Sequence, residues 1–228
     1  MKKYQKKFLI AIQVCSIGVL MMFAAPAHGK EPQPPRRGEL DIVPPPVPPQ
    51  VHLDPTLFVP FFEGRGVGTQ NYICKPTGPT TVGFALFTPQ ATLFNQNGKE
   101  LTTHFFSPNP EEANLDPTVI GNRQIRATWQ HSQDSSSVWA KASADHTATF
   151  ANAPAFVAPD AVAWLLLEVK GTRPGPTGGD TLTPAKFVQR VHTVGGLPPS
   201  TGCTSPSDIG NQAFVPYEAD YIFFKNVD

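Results

Sequence analysis

From about Leu57 onward the chain is a succession of short apolar runs, each of strand length, cut by glycine, proline or asparagine. Apart from a short turn near 110–115, no stretch of helical length sustains an apolar period of 3.6 residues between capping residues. A chain punctuated in this way buries its apolar side chains in sheets. The candidate strands are 69–74, 82–88, 91–95, 101–106, 125–130, 138–142, 162–170, 186–194 and 213–224, the last divisible at Pro216. Their β-branched and aromatic content agrees. The expected class is all-β, a single-domain antiparallel β-sandwich or barrel-like fold behind a proline-rich N-terminal leader.

Local details refine this expectation. Residues 161–167 (AVAWLLL) are apolar at every position, so this strand should be covered on both faces rather than alternate. Asn97-Gly98 is a hairpin signal, and residues 134–136 are a weaker one. GRGVG at 64–68 has no helix after it and lacks the third glycine of the G-x-G-x-x-G pattern, which reads as a turn with positive φ rather than a phosphate loop. The glycine-rich stretch 171–180 is a connection flexible enough to act as a lid.

The N-terminal part has another character. Lys2, Lys3, Lys6 and Lys7 precede the apolar run 8–25, and Ala27-His28-Gly29, or Ala25-Pro26-Ala27, supplies small residues for cleavage. Residues 1–29 are therefore expected to be a secretory signal peptide, with a permanent membrane anchor as the alternative. No transmembrane segment is expected after cleavage, and the product is expected to be periplasmic or extracellular. Between Lys30 and Pro60 lie ten prolines, so residues 30–56 are expected to form a disordered or polyproline II leader, with the β domain at 57–228.

Removing the four signal lysines from 18 basic residues leaves 14 against 18 acidic ones, a net charge of −4. Nucleic-acid binding, which draws on clustered Lys and Arg, has no support in that balance. Two cysteines remain after the signal, Cys74 and Cys203, and in an oxidising compartment a disulfide between them is the expected pairing.

No G-x-S-x-G elbow, H-E-x-x-H, S-x-x-K or P-loop occurs, and there is no dinucleotide fingerprint. The histidines have no metal-ligand spacing, and neither a metal nor a cofactor is expected. Polar residues inside apolar strands carry the remaining signal. Period-two geometry puts Gln70 and Tyr72 on the side of Cys74, where a buried Gln must find partners. In 186–194 one face carries Phe187, Gln189, Val191 and Thr193 and the other Val188, Arg190, His192 and Val194, so neither is cleanly apolar. A structural network and a cleft wall both fit that strand, and both fit His104 between its phenylalanines.

The motifs GVGTQNYIC (66–74), HFFSPNP (104–110), ATWQHSQDSSSVWA (127–140), AWLLLEV (163–169), GPTGGDTLTPAKFVQRVHTVGGLPP (175–199) and VPYEADYIFF (215–224), with Cys203, resemble an exported bacterial and fungal family of uncharacterised proteins, domain of unknown function 3455. The resemblance implies no established activity or catalytic residues. It places Gln70, Tyr72, His104, Trp129, Asp134, Gln189, Arg190 and Thr193 at recurring positions. The chain departs from the family pattern in the residues separating Pro108 from Trp129, and in Asp134-Ser135-Ser136 where the family has a Gly turn. The leading expectation is a non-enzymatic module binding a cell-envelope glycan or small polar ligand, with Trp129 and Tyr72 offering flat faces and Gln189 and Arg190 hydrogen bonds. The alternatives are an enzyme with His104 or His192 as general base beside Asp134 or Asp160, and a purely structural disulfide-stapled envelope domain.

Overall fold

The computed structural model describes residues 42–112 and 125–227. The expected signal peptide and residues 30–41 of the leader lie outside them. Eight strands follow in order: β1 (Phe58–Pro76), β2 (Val82–Phe94), β3 (Glu100–Pro108), β4 (Ile125–His131), β5 (Ser137–Ala148), β6 (Trp164–Arg173), β7 (Phe187–Gly195) and β8 (Gln212–Asn226). Each pairs antiparallel with the next, and β1 pairs with β8, so the sheet closes into a barrel. Of the two architectures the sequence allowed, the barrel is the one formed.

The expected strands at 82–88 and 91–95 are one strand, and Pro216 does not divide the last. Both prolines sit where a ladder has ended. β2 pairs with β3 only from Ala91 to Phe94, which leaves Pro89 beyond that ladder, and β8 leaves β7 at Tyr217, which leaves Pro216 beyond it. Where β2 and β3 have separated, the Thr88 hydroxyl accepts the Phe106 N–H at 3.0 Å in place of a backbone partner.

The apolar strand at 161–167 shows how the two faces are used. Leu165 and Leu167 of β6 belong to the cluster inside the barrel, with Trp129, Val188 and Phe223. Trp164 and Leu166 point the other way, into a second cluster on the outer face with Val191, Ile222 and Phe224. That outer face is covered by the loop bearing Ala153 and Val157 and by the chain preceding β1, where Val51 is fully buried. Gln189 donates its amide N–H to the Val51 carbonyl at 2.7 Å. The expected leader 30–56 is thus corrected over its second part. Residues 42–56 pack on the barrel, with a single 3-10 turn at Pro49–Val51. Ile42, Val47, Val51 and Leu53, interspersed among the prolines, supply the apolar cover that β6 demands.

GRGVG is not a turn. Gly64, Gly66 and Gly68 lie inside β1 without positive φ. A Cβ on Gly66 would sit 2.8 Å from the Tyr221 ring, and one on Gly68 only 1.9 Å from the Gln90 carbonyl oxygen. Close approach of neighbouring groups is what requires glycine here.

One end of the barrel is plugged. The segment 174–186, which takes in most of the stretch 171–180 expected as a connection or lid, drives Leu182 and Ala185 into the inner cluster. At the tip of the β4–β5 hairpin the Asp134 carboxylate receives Ser136 N–H at 2.8 Å and O–H at 2.7 Å on one oxygen, and Thr181 N–H at 3.0 Å and O–H at 2.6 Å on the other. Ser136 Oγ in turn accepts the Leu182 N–H at 3.1 Å. Gly175 and Gly179 pass so close to Asp134 that a Cβ on either would overlap it.

In the same hairpin Ser135 adopts φ 59°, the left-handed region that favours glycine. Ser135→Gly is expected to raise the unfolding free energy by about 0.5–1 kcal/mol in urea denaturation. A lower stability would show that Ser135 is not strained.

Near the other end, Cys74 of β1 is joined to Cys203 of the β7–β8 loop by a disulfide that spans 129 residues. A loop of that length corresponds to roughly 4–5 kcal/mol in the chain-entropy model.

Candidate functional site

The barrel is not filled. Ala127, Ala140 and Ala142 stand at positions where an ordinary small barrel would carry branched side chains, and a cavity of about 490 Å³ remains in the lumen. Leu86, Phe106, Leu165 and Leu167 complete its apolar wall. The cavity opens toward solvent where Leu86 (40% exposed) and Leu197 (41%) form its edge, away from the plug.

Five residues singled out in the sequence meet there: Gln70, Tyr72, His104, Trp129 and Arg190 all line the cavity. His104 of β3 is opposite Trp129 of β4 in register, and their rings stack with centroids 4.2 Å apart and an interplanar angle of 7°. The other partner of His104 is the Thr128 carbonyl, 2.9 Å from Nδ1. A carbonyl only accepts, so Nδ1 carries the hydrogen. Burial pushes the pKa of His104 down to about 3; the carbonyl bond opposes this shift and the positive charge of Arg190 adds to it. The ring is neutral at physiological pH.

Tyr72 donates its hydroxyl hydrogen to the Gly196 carbonyl at 2.6 Å, and burial raises the pKa of that hydroxyl. Arg190 of β7 points inward, and its Nε and Nη2 donate to the Ala163 carbonyl at 3.1 and 2.8 Å. Its field is felt at Tyr72, His104, Tyr217 and Tyr221, and at each it acts to lower the pKa. No carboxylate among the described residues pairs with it.

Asp134, Gln189 and Thr193 are elsewhere. Asp134 fastens the plug. Burial raises its pKa, but the four hydrogen bonds from Ser136 and Thr181 outweigh that and hold the carboxyl well below the usual range. Gln189 is adjacent to Arg190 in sequence and so lies on the opposite face of β7, bound to the N-terminal cover. Thr193 donates to the Val162 carbonyl at 2.6 Å. Trp129 offers no open face, because it is wholly buried and His104 stacks on it.

The elements of the enzyme reading are not brought together either. His192, in a bulge of β7 with φ 49°, approaches Asp220 at 2.9 Å, but it lies outside the cavity and Asp220 is not one of the carboxylates expected. His104, inside the cavity, is hydrogen-bonded to a carbonyl instead of a carboxylate. Among the described residues no group of three His, Cys, Asp or Glu could hold a metal ion. No helix among them is long and apolar enough to cross a membrane.

Tyr221 escaped the sequence reading, although it lines the cavity and its hydroxyl is 3.1 Å from that of Tyr217. Period two along YEADYIFF places Tyr217, Ala219, Tyr221 and Phe223 on one face, and that signal was there to be used. Arg126 and Lys141 at the edge of the cavity carried no comparable signal.

No curated protein and no solved structure matches the chain significantly. Residues 59–225, the whole barrel but for its first and last positions, match the family model described as "Protein of unknown function (DUF3455)", and the chain belongs to that family.

Proposed function

We propose that the protein is an exported, non-enzymatic binding barrel that holds one small molecule, mostly apolar in body, in its lumen. The observation that carries this reading is the cavity of about 490 Å³ inside a closed eight-stranded barrel, within the size range of small-molecule sites. The interior of this barrel could have been filled by substituting larger residues for three alanines. Export rests on the basic and apolar N-terminal segment, and a disulfide accords with an oxidising compartment.

A sugar needs a hydrogen-bonding partner for each of several hydroxyls and a flat aromatic platform. Gln70, Tyr72 and Arg190 offer polar atoms among walls of alanine and leucine, and Trp129 is covered, so a body with a single polar end fits better than a glycan. General-base catalysis has little support, because a histidine with a pKa of about 3 is a weak base at neutral pH.

The test uses the neutral fluorophore N-phenyl-1-naphthylamine, whose emission rises in apolar surroundings. The wild-type chain is expected to bind it saturably, and Ala140→Phe, which grows a ring into the lumen, to weaken binding at least about tenfold while the circular dichroism spectrum is retained. Ala142→Phe serves as a second filling variant. Absence of saturable uptake by the wild type, or equal uptake by both folded variants, overturns the reading.

A further inference from the structure

The charges around the cavity are one-sided. Among the described residues Arg126, Lys141 and Arg190 line it, and no aspartate or glutamate does. Arg126 is neutralised by Glu112, with Nε to Oε2 at 2.8 Å and Nη2 to Oε1 at 2.6 Å. Lys141 is exposed at the edge. Arg190 differs from both, being half-buried among apolar side chains, and its acceptors among the described residues are neutral, the Ala163 carbonyl and the Tyr221 hydroxyl.

A guanidinium withdrawn from water without a counterion is costly, and proteins ordinarily pair such a group. Holding the Ala163 carbonyl does not require a cation, since an amide or hydroxyl donor would do. The other polar groups beside it, Tyr72, Tyr221 and Gln70, are neutral. Burial is the main cause of the depressed pKa of His104, and the positive charge of Arg190 adds to it.

We infer that the ligand is an anionic amphiphile, a carboxylate on an alkyl or comparably apolar body, with its head paired to Arg190 and its body along Ala127, Ala140, Leu165 and Leu167. This inference rests on the binding reading above and adds the chemical class. The free edge of a guanidinium matches a carboxylate in geometry, which an ammonium or hydroxyl head cannot reproduce. A chain of about ten carbons suits a cavity of this size class.

The experiment is displacement of N-phenyl-1-naphthylamine from the full chain at pH 7.5 by decanoate, 1-decanol and decylammonium, each below its aggregation limit. Wild type is expected to prefer decanoate to both others by at least about tenfold. Arg190→Gln, which keeps a donor for the Ala163 carbonyl but drops the charge, should bring decanoate down to the level of decanol and leave decanol within about twofold. Arg190→Lys should keep the sign of the preference at reduced size. If wild type binds decanol or decylammonium as well as decanoate, the anionic assignment is overturned while the binding barrel stands, and the wild-type comparison decides this even if Arg190→Gln does not fold. If the probe and all three amphiphiles fail to bind, both readings fall.

Discussion

Trp129→Ala is expected to lower the unfolding free energy by about 3–5 kcal/mol while leaving uptake of an apolar probe intact or stronger. Trp129 is fully buried, stacked on His104, with edge contacts to Tyr221 at 5.5 Å and Phe223 at 5.7 Å between ring centroids. Truncation removes the apolar area of the indole and leaves a void that rigid strands cannot collapse. Because Trp129 also forms part of the cavity wall, the new space joins the space already there. A residue serving as an open stacking platform behaves in the opposite way, losing ligand with little change in stability. Urea denaturation with probe titration separates the two: a small shift in midpoint together with lost binding would return Trp129 to the role the sequence suggested. Trp129→Phe, which keeps a ring against His104, should recover much of the stability.

The same residue shows where sequence reasoning holds and where it stops. An indole, an imidazole, a tyrosine and an arginine inside apolar strands marked the lumen, because period two sends Gln70 and Tyr72, or Val188 and Arg190, to faces that can be named in advance. Which face becomes the interior is a property of closure. Gln189 and Arg190 are neighbours in one suspicious strand, yet closure sends one under the N-terminal cover and the other into the cavity. Bulges add a second obstacle, since the irregularities at Asn71/Tyr72 and Val191/Val194 reset the alternation along strands that otherwise read regularly. The N-terminal cover was within reach. A strand apolar on both faces demands something outside the barrel, and the valines, leucine and isoleucine among the prolines at 42–53 were the candidates nearest β1. Proline content drew attention to what that segment lacks, a backbone donor at many positions, and away from the apolar side chains between the prolines. Asp134 misled for another reason. A carboxylate in a motif at a recurring position reads equally as a ligand and as a fastener, and only the positions of Ser136 and Thr181 distinguish the two.

Asp134→Asn should cost about 3 kcal/mol at pH 7 and have little effect on probe binding, although the substitution is nearly isosteric. Ser136 and Thr181 present four donors to the two carboxylate oxygens. An amide can satisfy only the side where its oxygen lies, and it turns an N–H toward donors on the other. The loss spreads to the plug, since Ser136 Oγ also holds the Leu182 N–H and Leu182 is wholly buried. The folded pKa of Asp134 is depressed, so its contribution to stability is fully present above the unfolded carboxylate value of about 3.9 and is lost as pH falls through the folded value. At pH 3 the unfolded chain already gains from protonation of this group while the folded one does not. The stability gap between wild type and Asp134→Asn should therefore be smaller at pH 3 than at pH 7 by about 1 kcal/mol. Urea denaturation of both proteins at the two pH values measures this gap. An unchanged gap would mean that the carboxylate gains nothing from its four donors beyond what a neutral amide receives. Loss of probe binding in a variant whose far-UV and near-UV circular dichroism are intact would place Asp134 in contact with the ligand.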